Sequence, residues 1–224
     1  QYNHLFYQCT FEVVSSNFKD ALYDAILEDK PEIVKILLND KSIDVGKIIN
    51  NGGTYLHLAI KGNNVTPVQR LLLNHPNIDI NSSNAFKIEE TLLVKAVKCE
   101  NKELVELILN HPKFNASLSH LDYALMLSVK SKDIFMILIK IDSLDVNYLR
   151  MDIDEILTTT LIEATKMGDL EIIKLIISHP SFDPIKSNIA SCLFIAIQNN
   201  NFMLFKYFVE LNKNGDINLK NIKN

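Results

Sequence analysis

Asp44-Val45-Gly46-Lys47-Ile48-Ile49-Asn50-Asn51-Gly52-Gly53-Thr54-Tyr55-Leu56-His57-Leu58-Ala59 is the stretch on which the reading of this chain turns. A glycine-bearing bend leads to a threonine, then to an apolar run that closes on a small residue. That small residue, with an aliphatic one three positions before it, returns as Leu22/Ala25, Leu56/Ala59, Leu93/Ala96, Leu125/Ser128, Leu161/Ala164 and Leu193/Ala196. Intervals of 34, 37, 32, 36 and 32 residues separate the anchors, so the chain is a repeat array whose length variation falls in the connecting segments.

A second aliphatic run follows each anchor: Ile33 to Leu38, Val68 to Leu73, Leu104 to Leu109, Ile134 to Ile139, Ile172 to Ile177 and Phe205 to Val209. Both runs fit short buried helices. Two helices of about ten residues cannot bury enough apolar surface to offset the entropy of ordering them, so each unit must stack on its neighbours. The anchor is small because helices packed side by side leave room for little beyond Cβ at the contact. Ser128 replaces alanine there and keeps the volume.

The Asp44 to Ala59 copy resembles the ankyrin repeat, with its hairpin followed by a Thr-Pro-Leu-His-x-Ala helix start. Gly168-Asp169-Leu170-Glu171-Ile172-Ile173-Lys174-Leu175-Ile176-Ile177 is similar to the other half of that signature. The resemblance covers residues 18–218 and implies an all-α ankyrin-repeat solenoid of about six stacked helix-turn-helix units joined by hairpin-like loops. Residues 1–17, with Leu5, Phe6, Tyr7 and Phe11, are expected to be a capping segment or degenerate repeat, and 219–224 a tail. The dialect is like that of divergent ankyrin proteins of unicellular eukaryotes.

The chain departs from the family pattern in three ways. Tyr55 stands where the family has proline, and the family histidine occurs once, as His57. Three copies end their second run on a His-Pro phrase, at His75-Pro76, His111-Pro112 and His179-Pro180. Proline there stops the helix and pushes the preceding residue out of the α region. Those histidines fall at one structural position, about 10 Å apart per repeat, so they cannot share a zinc ion and are read as helix-end residues bonding a free carbonyl. By the resemblance, His57 ties adjacent hairpin turns through hydrogen bonds.

Composition sets bounds. The chain is 47 % hydrophobic and 22 % charged with a net charge of −4, and no apolar stretch reaches the ~18 residues of a membrane span. Neither a span nor a secretory leader is expected. Cys9, Cys99 and Cys192 are odd in number and lack Cys-x-x-Cys spacing, which suits free thiols in a reducing, cytoplasmic setting. No phosphate loop, nucleophile elbow or His-Glu-x-x-His pattern is present, and the chain has six glycines. No catalytic residue, cofactor or metal site is therefore assigned, and the chain is not read as an enzyme.

Function is expected on the variable surface, which the resemblance places at the hairpin tips and the concave helix face. The tip Tyr148-Leu149-Arg150-Met151-Asp152 carries the residue types enriched at binding hot spots. Two positions past the anchors, Lys61, Lys98, Lys130 and Lys166 share one register, which stacking would turn into a basic column about 30 Å long. The reading is a scaffold or adaptor that binds a protein partner, an acidic one if the column is used. The alternative is an anion sensor that holds a polyphosphate or nucleotide on the four lysines. Nucleic acid is disfavoured, because arginine occurs only as Arg70 and Arg150 and no aromatics interleave with the lysines. The last copy, rich in Phe202, Met203, Phe205, Tyr207 and Phe208, needs a cover such as Asp216 to Leu219; uncovered apolar ends predict weak self-association of an otherwise monomeric chain.

Overall fold

The computed structural model describes residues 21–49, 52–85, 87–151 and 157–213. The expected cap (1–17), the tail (219–224), the covering stretch Asp216 to Leu219, Cys9 and Asp152 lie outside the described residues. The chain divides after Ser119 into two compact units.

Unit 1 contains α1 (residues 21–27), α2 (Pro31–Leu37), α3 (Tyr55–Ala59), α4 (Pro67–Leu73), α5 (Leu92–Lys98) and α6 (Lys102–Leu109), with the antiparallel strands β1 (Ser83–Asn84) and β2 (Lys87–Thr91) ahead of α5. The first helices α3 and α5 pack on each other, and the second helices α2 and α4 do the same. Unit 2 repeats the plan with α7 (Leu121–Ser128), α8 (Lys132–Leu138), α9 (Thr160–Met167), α10 (Leu170–Ser178), α11 (Ile189–Gln198) and α12 (Phe202–Lys213). Its strands β3 (Leu149–Met151) and β4 (Leu157–Thr159) pair antiparallel with Arg150 opposite Thr158. In both units the fold is mostly helical, as the repeat pattern implies, and the two ribbons occupy hairpin positions between repeats.

The anchors occupy the core. Ala25, Ala59, Ala96, Ser128, Ala164 and Ala196 are all buried, together with Leu22, Leu56, Leu93, Leu125 and Leu161, whereas Leu193 in the last pair is half-buried. Ser128 is accommodated because its hydroxyl donates to the Leu125 carbonyl at 2.7 Å, leaving no polar group without a partner.

Most first helices are shorter than about ten residues, and their ends explain why. Four residues past the anchor the backbone turns left-handed, at Asp29 (φ 51°), Glu100 (φ 53°), Gly168 (φ 77°) and Asn200 (φ 52°). The next amide then reaches back to the anchor carbonyl: Lys30 to Ala25 at 2.9 Å, Asn101 to Ala96 at 3.1 Å and Asn201 to Ala196 at 2.8 Å. These bonds satisfy carbonyls that a helix end would otherwise orphan. The second helix starts at once on a polar cap, with Asn101, Asp169 and Asn201 accepting from the amides of Leu104, Ile172 and Leu204.

Side chains one repeat apart tie the stack within each unit. Thr91, the cap of α5, donates to the Ser119 carbonyl at 2.7 Å, and Thr159, the cap of α9, donates to the Ser187 carbonyl at 2.9 Å. Asn81 donates to the Lys113 carbonyl at 2.7 Å and accepts from the Asn115 amide at 2.8 Å. Asn147 holds the matching joint in unit 2: it donates to the Ser181 carbonyl and accepts from the Asp183 amide and the Ser187 hydroxyl, at 2.5, 2.8 and 2.7 Å.

Candidate functional site

The β3–β4 ribbon presents two unlike faces, because successive side chains on a strand point to opposite sides. On the inner face, the Arg150 guanidinium carbon lies 4.7 Å from the centre of the Tyr123 ring, which is buried on α7. Tyr148, at the foot of the ribbon, sets its ring 6.0 Å from the same Tyr123 ring, at 41°. Thr158, opposite Arg150, donates to Glu163 at 2.8 Å. The outer face carries Leu149, Met151 and Leu157, with 52, 62 and 49 % of their surface in water. Leu149 and Met151 are two apart on one strand, and Leu157 pairs with Met151 across the ribbon. An apolar patch thus rides on a ribbon whose reverse side is pinned. Leu157 was not visible from sequence because it sits six residues past Met151, outside the tip motif.

A second constellation surrounds His57 in unit 1. Its Nδ1 accepts from the Thr54 amide at 3.2 Å and lies 3.0 Å from the Thr54 hydroxyl, closing a capping box at the start of α3. With Nδ1 accepting, the proton sits on Nε2, which donates to the Glu90 carbonyl of β2 at 3.3 Å. The imidazole therefore joins one hairpin to the next, as the resemblance implies. Burial strips the imidazolium of water and the Lys95 ammonium repels it, so the ring's pKa falls to about 4 and it stays neutral at physiological pH. A backbone bond from Ala85 to Gly52, 2.6 Å long, reinforces the same joint.

The four lysines are placed as follows. Lys61 and Lys98 belong to unit 1, Lys130 and Lys166 to unit 2. Lys61 lies beyond the end of α3 and donates to the Leu27 carbonyl at 3.2 Å. Lys98 closes α5 with its ammonium 3.5 Å from Glu90. Lys166 is inside α9 and pairs with Glu163 at 2.8 Å. Burial works against the charge of Glu163, but the bonds from Lys166 and Thr158 and the fields of Lys166 and Lys130 outweigh it and hold the carboxyl below its ordinary range. Lys95, which the two-past-anchor register passes over, is half-buried and donates to the His57 carbonyl at 2.6 Å. Its three-residue spacing from Lys98 was the available signal.

Each His-Pro histidine stands at the end of its second helix, as expected, and its ring makes a further bond. His75, His111 and His179 each accept through Nδ1 the amide two residues on, from Asn77, Lys113 and Ser181, all at 3.2 Å. Their rings cap a turn by accepting from an N–H, while their own backbone amides take the free helix-end carbonyls of Leu72, Ile108 and Ile176 at 3.1, 3.2 and 3.2 Å. The reason is geometric: proline fixes the extended bend, as at His179 (ψ 138°), and that brings the following amide under the ring.

At the end of unit 2 Phe208 is buried, while Phe202 and Met203 on α12 and Phe194 and Ile197 on α11 are exposed. No helix among the described residues is long and apolar enough to cross a membrane.

Comparison with known proteins matches residues 3–84 to the family model of ankyrin repeats, in three copies. The structure is similar to the ankyrin repeat domain of Bcl-3, described as a unique member of the IkappaB protein family, over 85 % of each chain at 19 % identity with a TM-score of 0.61. It is also similar to EF0377, an ankyrin repeat protein, over 85 % of this chain and 96 % of that one at 20 % identity with a TM-score of 0.65. No curated protein matches the sequence at a significant level. Helix pairs on a repeat of about 34 residues, hairpin joints tied through His57, the match over residues 3–84 and the likeness of fold meet in one conclusion: the fold is that of ankyrin repeats, and residues 3–84 match the ankyrin-repeat family model.

Proposed function

We propose that this chain is an adaptor that binds a protein partner through the outer face of the β3–β4 ribbon, without chemistry of its own. The observation that carries the reading is the exposure of Leu149, Met151 and Leu157 together on a ribbon held from behind by Arg150 on Tyr123 and by Thr158 on Glu163. Apolar side chains on a pinned support lose little freedom on binding, so the area they bury goes into affinity. Ankyrin repeats are general protein-interaction modules, and the free thiols of Cys99 and Cys192 suit a reducing compartment, which we take to be the cytoplasm.

The test is a pull-down from the parent cell lysate, followed by titration of the purified captured protein. The variants are Leu149→Asp with Leu157→Asp, and Lys130→Ala with Lys166→Ala. The reading expects the ribbon variant to bind at least about tenfold more weakly, with little salt dependence, and the lysine variant to bind normally. Undiminished binding by a ribbon variant with an unchanged melting curve overturns it.

A further inference from the structure

Unit 1 and unit 2 treat their lysines differently. In unit 2, Lys166 is paired with Glu163, and Lys130 acts on the same carboxylate. In unit 1, Lys61 and Lys95 each lean one repeat back onto a backbone carbonyl, of Leu27 and of His57. Lys98 joins Lys95 on one face of α5 and has Glu90 beside it. A carbonyl offers partial charge only, so these ammonium groups keep most of their field. Burial lowers the pKa of Lys95, and the fields of Lys61 and Lys87 lower it further, against the opposing pull of Glu90 and Cys99. Burial is thus the main cost to the Lys95 charge, and Lys95 and Lys98 share Glu90 as their carboxylate neighbour, so an incoming negative charge would further stabilise the ammonium groups.

The spacing selects the kind of anion. Lys61 leans on the first repeat and Lys95 on the second, and first helices of adjacent repeats pack about 10 Å apart. A single oxyanion cannot bridge that gap. An extended peptide in the polyproline II conformation advances about 3.1 Å per residue with three residues per turn, so acidic side chains three apart lie on one face and are spaced by about one repeat. We propose that unit 1 carries an acceptor track for an extended acidic segment of a protein partner, Lys61 taking one carboxylate and Lys95 with Lys98 the carboxylate three residues on. The proposal rests on the reading of the chain as a protein-binding module and names the chemistry of a second contact, on unit 1.

The experiment uses the full chain and three probes: a labelled peptide with two glutamates three positions apart and Gly or Ser elsewhere, a second peptide of the same composition with the two glutamates contiguous, and tripolyphosphate. Fluorescence anisotropy reads affinity for the peptides, and the NMR titration of the Lys95 Cε group is followed with each probe. The spaced peptide is expected to bind about tenfold more tightly than the contiguous one, to move the Lys95 titration upward, and to weaken as salt rises. Lys61→Met with Lys95→Met should abolish this, Lys95→Arg should retain it, and Lys130→Met with Lys166→Met should leave it unchanged. Equal binding of both peptides, tripolyphosphate displacing the spaced peptide as the better ligand, or equal loss in the Lys130/Lys166 variant overturns the proposal. The ribbon variant should bind the spaced peptide normally, so failure of this site and failure of the ribbon reading are told apart.

Discussion

The β1–β2 ribbon of unit 1 and the β3–β4 ribbon of unit 2 hold equivalent places before a first helix, yet they are fastened by different groups. The first is tied through its backbone, with the Glu90 carbonyl on His57 and the Ala85 amide on the Gly52 carbonyl. The second is tied through side chains, Arg150 over Tyr123 and Thr158 on Glu163. A ribbon held by its backbone is fixed by one imidazole; a ribbon held by alternate side chains leaves the other set facing water. The asparagine joints differ in the same way, since Asn81 works at the surface and Asn147 is buried with Ser187.

Breaking the buried joint should have the largest effect of the substitutions. Asn147→Ala strands the buried Ser187 hydroxyl and the half-buried Ser181 carbonyl and Asp183 amide, and at about 1–3 kcal/mol for the buried group and about 1 for each half-buried one, softened by relaxation, unit 2 should lose about 3 kcal/mol in urea unfolding.

His57 gives unit 1 a pH dependence. Its pKa is about 4 when folded, against an ordinary 6.5. Between those values the unfolded chain binds a proton that the folded chain refuses, so the contribution is complete above pH 6.5 and is lost as pH falls toward 4. At about 1.4 kcal/mol per pH unit the loss is about 3 kcal/mol. Urea unfolding of wild type across pH 4 to 7 should show the slope, and His57→Gln, which cannot titrate, should flatten it.

Asn81→Ala, at the exposed joint, should cost about 1 kcal/mol, since water replaces the lost partners. A ratio near unity between the two asparagine variants would remove the distinction drawn between the joints. The smallest effect is a gain: Glu100 sits at φ 53°, where glycine is unstrained. Glu100→Gly should therefore raise the melting temperature, by the equivalent of about 1 kcal/mol.

What sequence made legible follows the physics of each feature. Ala25 to Ala196 announce themselves because a close helix contact tolerates only small side chains, whatever surrounds it. His57 was readable through family resemblance, since its partners stand three residues and one repeat away. Lys95 signals only its shared helix face with Lys98, because its importance depends on burial and on the charge of Glu90, which that spacing does not report. His75, His111 and His179 bond the helix-end carbonyls through their backbone amides, as read from sequence; what their rings accept was hidden, since the bend that proline imposes decides which backbone group meets the ring. Asn81 and Asn147 carried a signal in Ile78-Asp79-Ile80-Asn81 and Leu144-Asp145-Val146-Asn147, a shared phrase in two repeats.

The ties through Thr91, Thr159, Asn81 and Asn147 each reach about one repeat along the chain and no farther. Short loops close quickly, so each unit should assemble by local steps rather than wait for a distant encounter. The same reach governs disassembly. Amide hydrogens should exchange in blocks about one repeat long, fraying from the ends of a unit inward. A ligand clasped at one joint would then protect the two repeats that share it and leave the next to open on its own.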